Sequence, residues 1–163
     1  MADFVNTSLK QKTTAGFWAN GSDSTFSESD QTGVFHNMTR ALIIDDQQVG
    51  INVLSMLLEN EGVSIISTTR VEKIDEILKQ GRAPDLVFLD LELYNTTGLE
   101  LLPKLRSHVQ LAHAKIIAYT VHTSEIAAAK NAGFDGFLGK PLDAVNFPQV
   151  LKQILAGKSV WIA

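Results

Sequence analysis

A chain of 163 residues, 45% hydrophobic and 20% charged, has ordinary globular composition and enough length to bury one sizeable core. Fourteen Lys and Arg against eighteen Asp and Glu leave a formal charge of −4, which argues against a broad grip on nucleic-acid phosphates. The absence of Cys excludes a disulfide framework, thiolate metal ligation and a Cys nucleophile.

Composition changes near residue 38. Residues 1–37 hold ten Ser or Thr and three Gly, without a helical or strand period, and residues 1–38 read as a flexible amino-terminal extension. Phe17, Trp18, Phe26, Val34 and Phe35 are nonetheless more apolar bulk than a spacer needs. They offer groups that could dock on the chain's own domain or on a partner. The first residues lack a basic stub followed by an apolar signal core, and no stretch reaches the about 18 apolar residues of a membrane span. A soluble, cytoplasmic protein is expected.

From Arg40 onward short apolar runs alternate with amphipathic stretches. Strands are expected at Ala41–Ile44, Val63–Ile66, Leu86–Leu89, Ile116–Tyr119 and Gly136–Leu138. Val49, Val53, Leu54, Leu57 and Leu58 recur at helical spacing, as do Phe147, Val150, Leu151, Ile154 and Leu155. Gly62, Gly81 and Gly133 stand where helices should stop. Five buried strands alternating with helices call for an α/β fold: a doubly wound parallel sheet with right-handed crossovers. The last residues, 158–163, are short and apolar, and they are expected to pack Trp161 or Ile162 against the final helix.

Ligands in such sheets bind beyond the carboxyl ends of the strands. Strand one runs into Asp45 and Asp46, strand three into Asp90, strand four ends at Thr120, and strand five leads to Lys140 and Pro141. Any one of these residues would ordinarily be a cap or a solvated loop residue. Together they bring three carboxylates, a hydroxyl and an ammonium to one sheet edge. Clustered carboxylates repel unless a cation neutralises them, and all-oxygen ligation suits Mg²⁺. A carboxylate there can act as a nucleophile toward phosphorus, with the metal and Lys140 stabilising the transferring charge.

The segments ALIIDDQQVGINVLSMLLENEGV, PDLVFLDLELYNTTGLELLPKLR and KIIAYTVHTSEIAAAKNAGFDGFLGKPLD resemble a response-regulator receiver domain over residues 39–157. The resemblance implies the sheet order 2-1-3-4-5 and a Mg²⁺ cofactor. It implies Asp90 as phosphoacceptor, with Asp45, Asp46, Asp90 and the backbone carbonyl of Glu92 as metal ligands. Lys140 would pair with phosphoryl oxygens, Thr120 would be the switch hydroxyl, Phe137 the switch aromatic, and Gly98 would let the loop after Asp90 turn. Val121, Tyr94 and Thr97 depart from the common family pattern, and Glu92 and His122 lie where the family tunes phosphoryl lifetime.

The implied donor is a sensor histidine kinase or a histidine phosphotransfer protein. The implied output is a downstream protein reading the face of the fourth helix, fifth strand and fifth helix, and a homodimer through that face is compatible with the pattern. With six residues after Gly157, a stand-alone switch without direct DNA binding is expected, and not an enzyme in the ordinary sense. A phosphorylation-independent pseudo-receiver is the alternative, opposed by retention of Asp45, Asp46, Asp90, Thr120 and Lys140. A dehalogenase-type phosphatase would want Asp two positions after its nucleophile, on the first strand; Glu92 and the third strand stand there instead.

Overall fold

The computed structural model describes residues 38–163; the expected extension and its aromatic residues up to Phe35 lie outside the described residues. Strands β1 (Arg40–Ile44), β2 (Ser64–Thr68), β3 (Leu86–Leu89), β4 (Lys115–Thr120), β5 (Gly136–Gly139) and β6 (Trp161–Ile162) form one sheet. Helices α1 (Gln48–Asn60), α2 (Ile74–Leu78), α3 (Gly98–Ser107), α4 (Ile126–Ala132) and α5 (Phe147–Leu155) connect them. The strand order is β2-β1-β3-β4-β5-β6, with every neighbouring pair parallel. The order 2-1-3-4-5 is therefore present, extended by a sixth strand.

Side-chain alternation splits the core into two layers, because successive residues of a strand face opposite sides. Leu42, Ile44, Val87, Leu89, Ile116, Ala118 and Phe137 face the α2–α4 side, where Ile74, Leu78, Leu101, Leu102, Leu105 and Ala129 cover them. Ala41, Ile43, Leu86, Phe88, Ile117, Tyr119 and Leu138 face α1 and α5, against Ile51, Leu54, Leu58, Phe147, Leu151 and Ile154. Strands buried on both faces have no polar alternation, which is why the sequence shows them as continuous apolar runs.

Three expectations are corrected. Val49 and Val53 do not face the core: they are 74% and 42% exposed, whereas Ile51 is 3% exposed. At about 100° per residue, Ile51, Leu54 and Leu58 share a stripe that leaves Val49 and Val53 on the opposite side of α1. Leu155 likewise falls at the margin of the α5 stripe and is exposed. The third correction concerns residues 158–163. Val160, and not Trp161, packs with the final helix, while Trp161 lies on the α4 side and, with Ile162, pairs with Phe137 and Leu138 as β6.

The loop after β3 folds into a small antiparallel hairpin, Glu92–Leu93 against Thr96–Thr97, that delivers the chain to α3. Thr97 then caps α3: its hydroxyl accepts from the Glu100 N–H at 3.2 Å, and the Glu100 carboxylate accepts from the Thr97 N–H at 3.1 Å. This reciprocal capping box satisfies two otherwise unpaired donors. Thr97→Val is expected to lower the unfolding free energy by about 1 kcal/mol in urea denaturation. The Thr97 N–H and the Thr96 hydroxyl hold the Glu100 carboxyl below its ordinary pKa. Its contribution is therefore present above the unfolded value of 4.5 and lost as pH falls through the lowered folded value. The stability gap between wild type and Glu100→Gln should shrink on acidification; a gap unchanged at low pH would contradict the capping account.

Candidate functional site

The parallel sheet ends all its central strands along one edge, and the sequence-predicted residues meet there. Asp45 follows β1 and is fully buried, Asp90 follows β3 and is 5% exposed, Thr120 ends β4 and is fully buried, and Lys140 follows β5. The Lys140 ammonium donates to Asp45 Oδ2 at 2.7 Å and to Asp90 Oδ2 at 2.6 Å. It also sits 4.6 Å from the centre of the Tyr119 ring, whose negative face favours a cation. Burial alone would lower the Lys140 pKa, but the hydrogen bonds and charges of Asp45 and Asp90 outweigh it and raise the value. The Lys140 N–H donates to the Thr120 carbonyl at 2.8 Å and so ties its loop to β4, and the following Lys140–Pro141 peptide is cis.

The remaining carboxylate oxygens are aimed by backbone. Asp45 Oδ1 accepts from the Gln47 N–H at 2.8 Å at the start of α1, and Asp90 Oδ1 accepts from the Glu92 N–H at 3.2 Å. Two glycines make room. A Cβ on Gly50 would lie 2.2 Å from Asp45 Oδ2, so only glycine lets α1 pass that close to the carboxylate. A Cβ on Gly98 would lie 2.3 Å from the Asp90 carbonyl oxygen, which explains glycine at the turn into α3.

Asp46 differs from its neighbours. Its Oδ1 is buried without a hydrogen-bond partner, although Asp45, Asp46 and Asp90 each place an oxygen within 4.8 Å of the others. Burial, then the charges of Asp45 and Asp90, push the Asp46 pKa up, while Lys140 and its own backbone N–H pull it down. Three carboxylates facing one ammonium leave local negative charge and an unsatisfied oxygen. That donor set fits a hard divalent cation with oxygen ligands, such as Mg²⁺.

Around this centre, the Thr120 hydroxyl accepts from the His122 N–H at 3.2 Å, and His122 Nε2 pairs with Glu92 Oε2 at 2.7 Å. This His–Glu pair links the loops after β3 and β4. Val121 and Tyr94 are exposed, while Phe137 is fully buried in the α2–α4 layer. Sequence reading did not single out Gly50 or Tyr119, and it named Glu92 and His122 separately without foreseeing that they pair. The one available signal was Gly50, a glycine inside a helical pattern with no helix end to explain it.

Comparison with known proteins agrees with the geometry. The sequence profile of the response regulator receiver domain matches residues 41–152. The polar-differentiation response regulator DivK of Brucella ovis is 26% identical over 122 residues, covering 72% of this chain and 98% of that protein. A CheY-like receiver domain structure from Methylobacillus flagellatus is 27% identical, with a TM-score of 0.62, over 72% of this chain and 98% of its own. A two-component response regulator structure from Clostridium difficile is 29% identical, with a TM-score of 0.63, over 73% and 97%. With its doubly wound sheet and an acidic pocket at the strand ends inside the matched span, the chain belongs to the response regulator receiver family of two-component signalling.

Proposed function

We propose that the chain is a phosphorylation switch in which Asp90 accepts a phosphoryl group. The observation that carries this reading is the setting of Asp90: a nearly buried carboxylate with one oxygen on Lys140, the other on the Glu92 N–H, and two further carboxylates beside it. The donor is a phosphohistidine on a sensor histidine kinase or a histidine phosphotransfer protein. An Asp90 oxygen forms the new bond to phosphorus, the P–N bond breaks, and the imidazole leaves with the electron pair. Lys140 stabilises charge on the phosphoryl oxygens throughout. Asp45, Asp46 and Asp90, with the Glu92 carbonyl, would hold Mg²⁺, which when bound neutralises the charge that builds up in the transfer.

The added phosphoryl oxygens are acceptors for the Thr120 hydroxyl, which sits on β4 beside β5. Thr120 turning toward them frees space beside the buried Phe137 ring, and the two packings of that ring present different α4–β5–α5 faces to a downstream protein. The product of the chemistry is a conformation, held for as long as the self-catalysed hydrolysis allows. In this reading the protein works in the cytoplasm, with output through protein contact. Among the described residues no helix is long and apolar enough to cross a membrane.

Incubation with Mg²⁺ and acetyl phosphate should add one phosphoryl group by intact mass. The addition should vanish with EDTA or in Asp90→Asn. Modification persisting in Asp90→Asn would refute Asp90 as the acceptor. A second expectation concerns Lys140. Lys140→Met leaves two buried carboxylates without their cation, and should lower stability by about 3 kcal/mol in metal-free buffer near neutral pH. Addition of Mg²⁺ should recover part of that loss in urea denaturation; an unchanged midpoint would show that Lys140 does not neutralise the pocket.

A further inference from the structure

The free edge of β5 is covered by the chain's own last residues. After α5 the backbone turns through Gly157, whose φ of +79° is the left-handed region open to glycine, and runs back along β5. The Phe137 N–H donates to the Val160 carbonyl at 2.7 Å, and Trp161 and Ile162 stand opposite Phe137 and Leu138. Val160 is buried in the layer containing Phe147, Leu151 and Ile154 of α5. Trp161 packs on the opposite layer, with the Lys130 ammonium of α4 at 5.6 Å from its ring centre. The segment therefore bridges the α4 side and the α5 side across β5.

The receiving surface is shaped for an extended chain. A Cβ on Gly136 would lie 2.8 Å from the Val160 carbonyl oxygen, and one on Gly139 would lie 2.9 Å from the Ala163 carbonyl carbon. The two glycines of β5 thus admit a second backbone at close range. The covering strand is itself slight: two paired residues, with Ile162 and Ala163 exposed. Among the described residues, Val160 and Trp161 are its only anchors in the core, and strands this short hold weakly and open below the global unfolding free energy.

We propose that the β5 edge is a strand-binding site and that residues 158–163 are its resident ligand in cis. The partner that fits is a protein offering an extended apolar segment, with a β-branched residue followed by an aromatic, which adds parallel to β5 beneath Lys130. Such a partner gains the edge only by displacing Val160–Ile162, so the tail sets the threshold for binding. Its consequence for signalling rests on the α4–β5–α5 face being the output face. The strand-binding claim does not need phosphorylation, and its test leaves Asp90 untouched.

A labelled peptide with the sequence KSVWIA is titrated by NMR into the full chain and into the full chain carrying Val160→Asp and Trp161→Ala. The apparent affinity of a site scales with its open fraction. The double variant should bind the peptide at least about tenfold more tightly than wild type, with shifts at Phe137, Leu138 and Lys130. Equal affinities, or no binding to the folded variant, would overturn the proposal. Wild type supplies a measurement that needs no variant. The Phe137 amide should exchange its hydrogen at least about a hundredfold faster than the Asp90 amide, which donates to Ile44 between central strands at 2.9 Å. Equal exchange rates would show that the tail is an integral strand and would overturn the displaceable ligand. Loss of acetyl phosphate reactivity with either positive result here would refute the phosphoswitch alone.

Discussion

The Lys140 ammonium, held between Asp45 and Asp90 at 2.7 and 2.6 Å, is the contact on which the functional edge of the sheet depends. It ties the ends of β1, β3 and β5 together at one point and lets two carboxylates remain buried side by side. Removing two such charges from water is unfavourable unless a cation and hydrogen bonds meet them. Lys140 supplies the cation, the Gln47 and Glu92 amides supply the hydrogen bonds, and the Tyr119 ring lies against the ammonium. The compensation stops short of Asp46, whose Oδ1 has no partner. A pocket satisfied except for one oxygen, and with three carboxylates against a single ammonium, is arranged to take a divalent cation and then a phosphoryl group.

The topology explains why these groups meet. Parallel strands all end at the same edge, so residues 50 and 95 positions apart in the chain become neighbours without any local sequence link. The same arrangement leaves an outer strand edge at β5, which parallel folds of this kind ordinarily expose to solvent or to a partner. Here the chain returns along that edge. Phe137 consequently has two neighbours that matter: Ala118 of β4, two residues before Thr120, and Trp161 of β6. A change at the aspartate pocket and a change at the tail both act on the strand that carries Phe137.

Much of this was legible in the sequence, for identifiable reasons. Five runs of apolar residues marked the strands, and the polar residues after four of them marked the site edge, so Asp45, Asp46, Asp90, Thr120 and Lys140 could be placed together. The helix faces were less legible. In α1 the valines at 49 and 53 imitate a core stripe, but rotation about the axis puts Ile51 inward instead. The sixth strand was illegible because two residues carry no period, and the pairing that makes them a strand lies in β5, more than twenty residues earlier. Gly50 stood out only as a glycine inside a helical pattern; its reason was illegible, because the demand comes from the Asp45 carboxylate across space and not from its own backbone conformation.

The central claim is that the aspartate pocket is kept electrostatically uncomfortable so that a cation can complete it. Denaturant unfolding of wild type and Asp46→Asn, each with EDTA and with saturating Mg²⁺, tests that claim most directly. Removing one of three mutually repelling carboxylates should raise the unfolding midpoint in EDTA, since Asp46 is disfavoured in its charged form by burial and by Asp45 and Asp90. Mg²⁺ should raise the midpoint of wild type and leave Asp46→Asn nearly unchanged. An Asp46→Asn protein that is less stable than wild type in EDTA, and that still gains the full Mg²⁺ increment, would contradict the account.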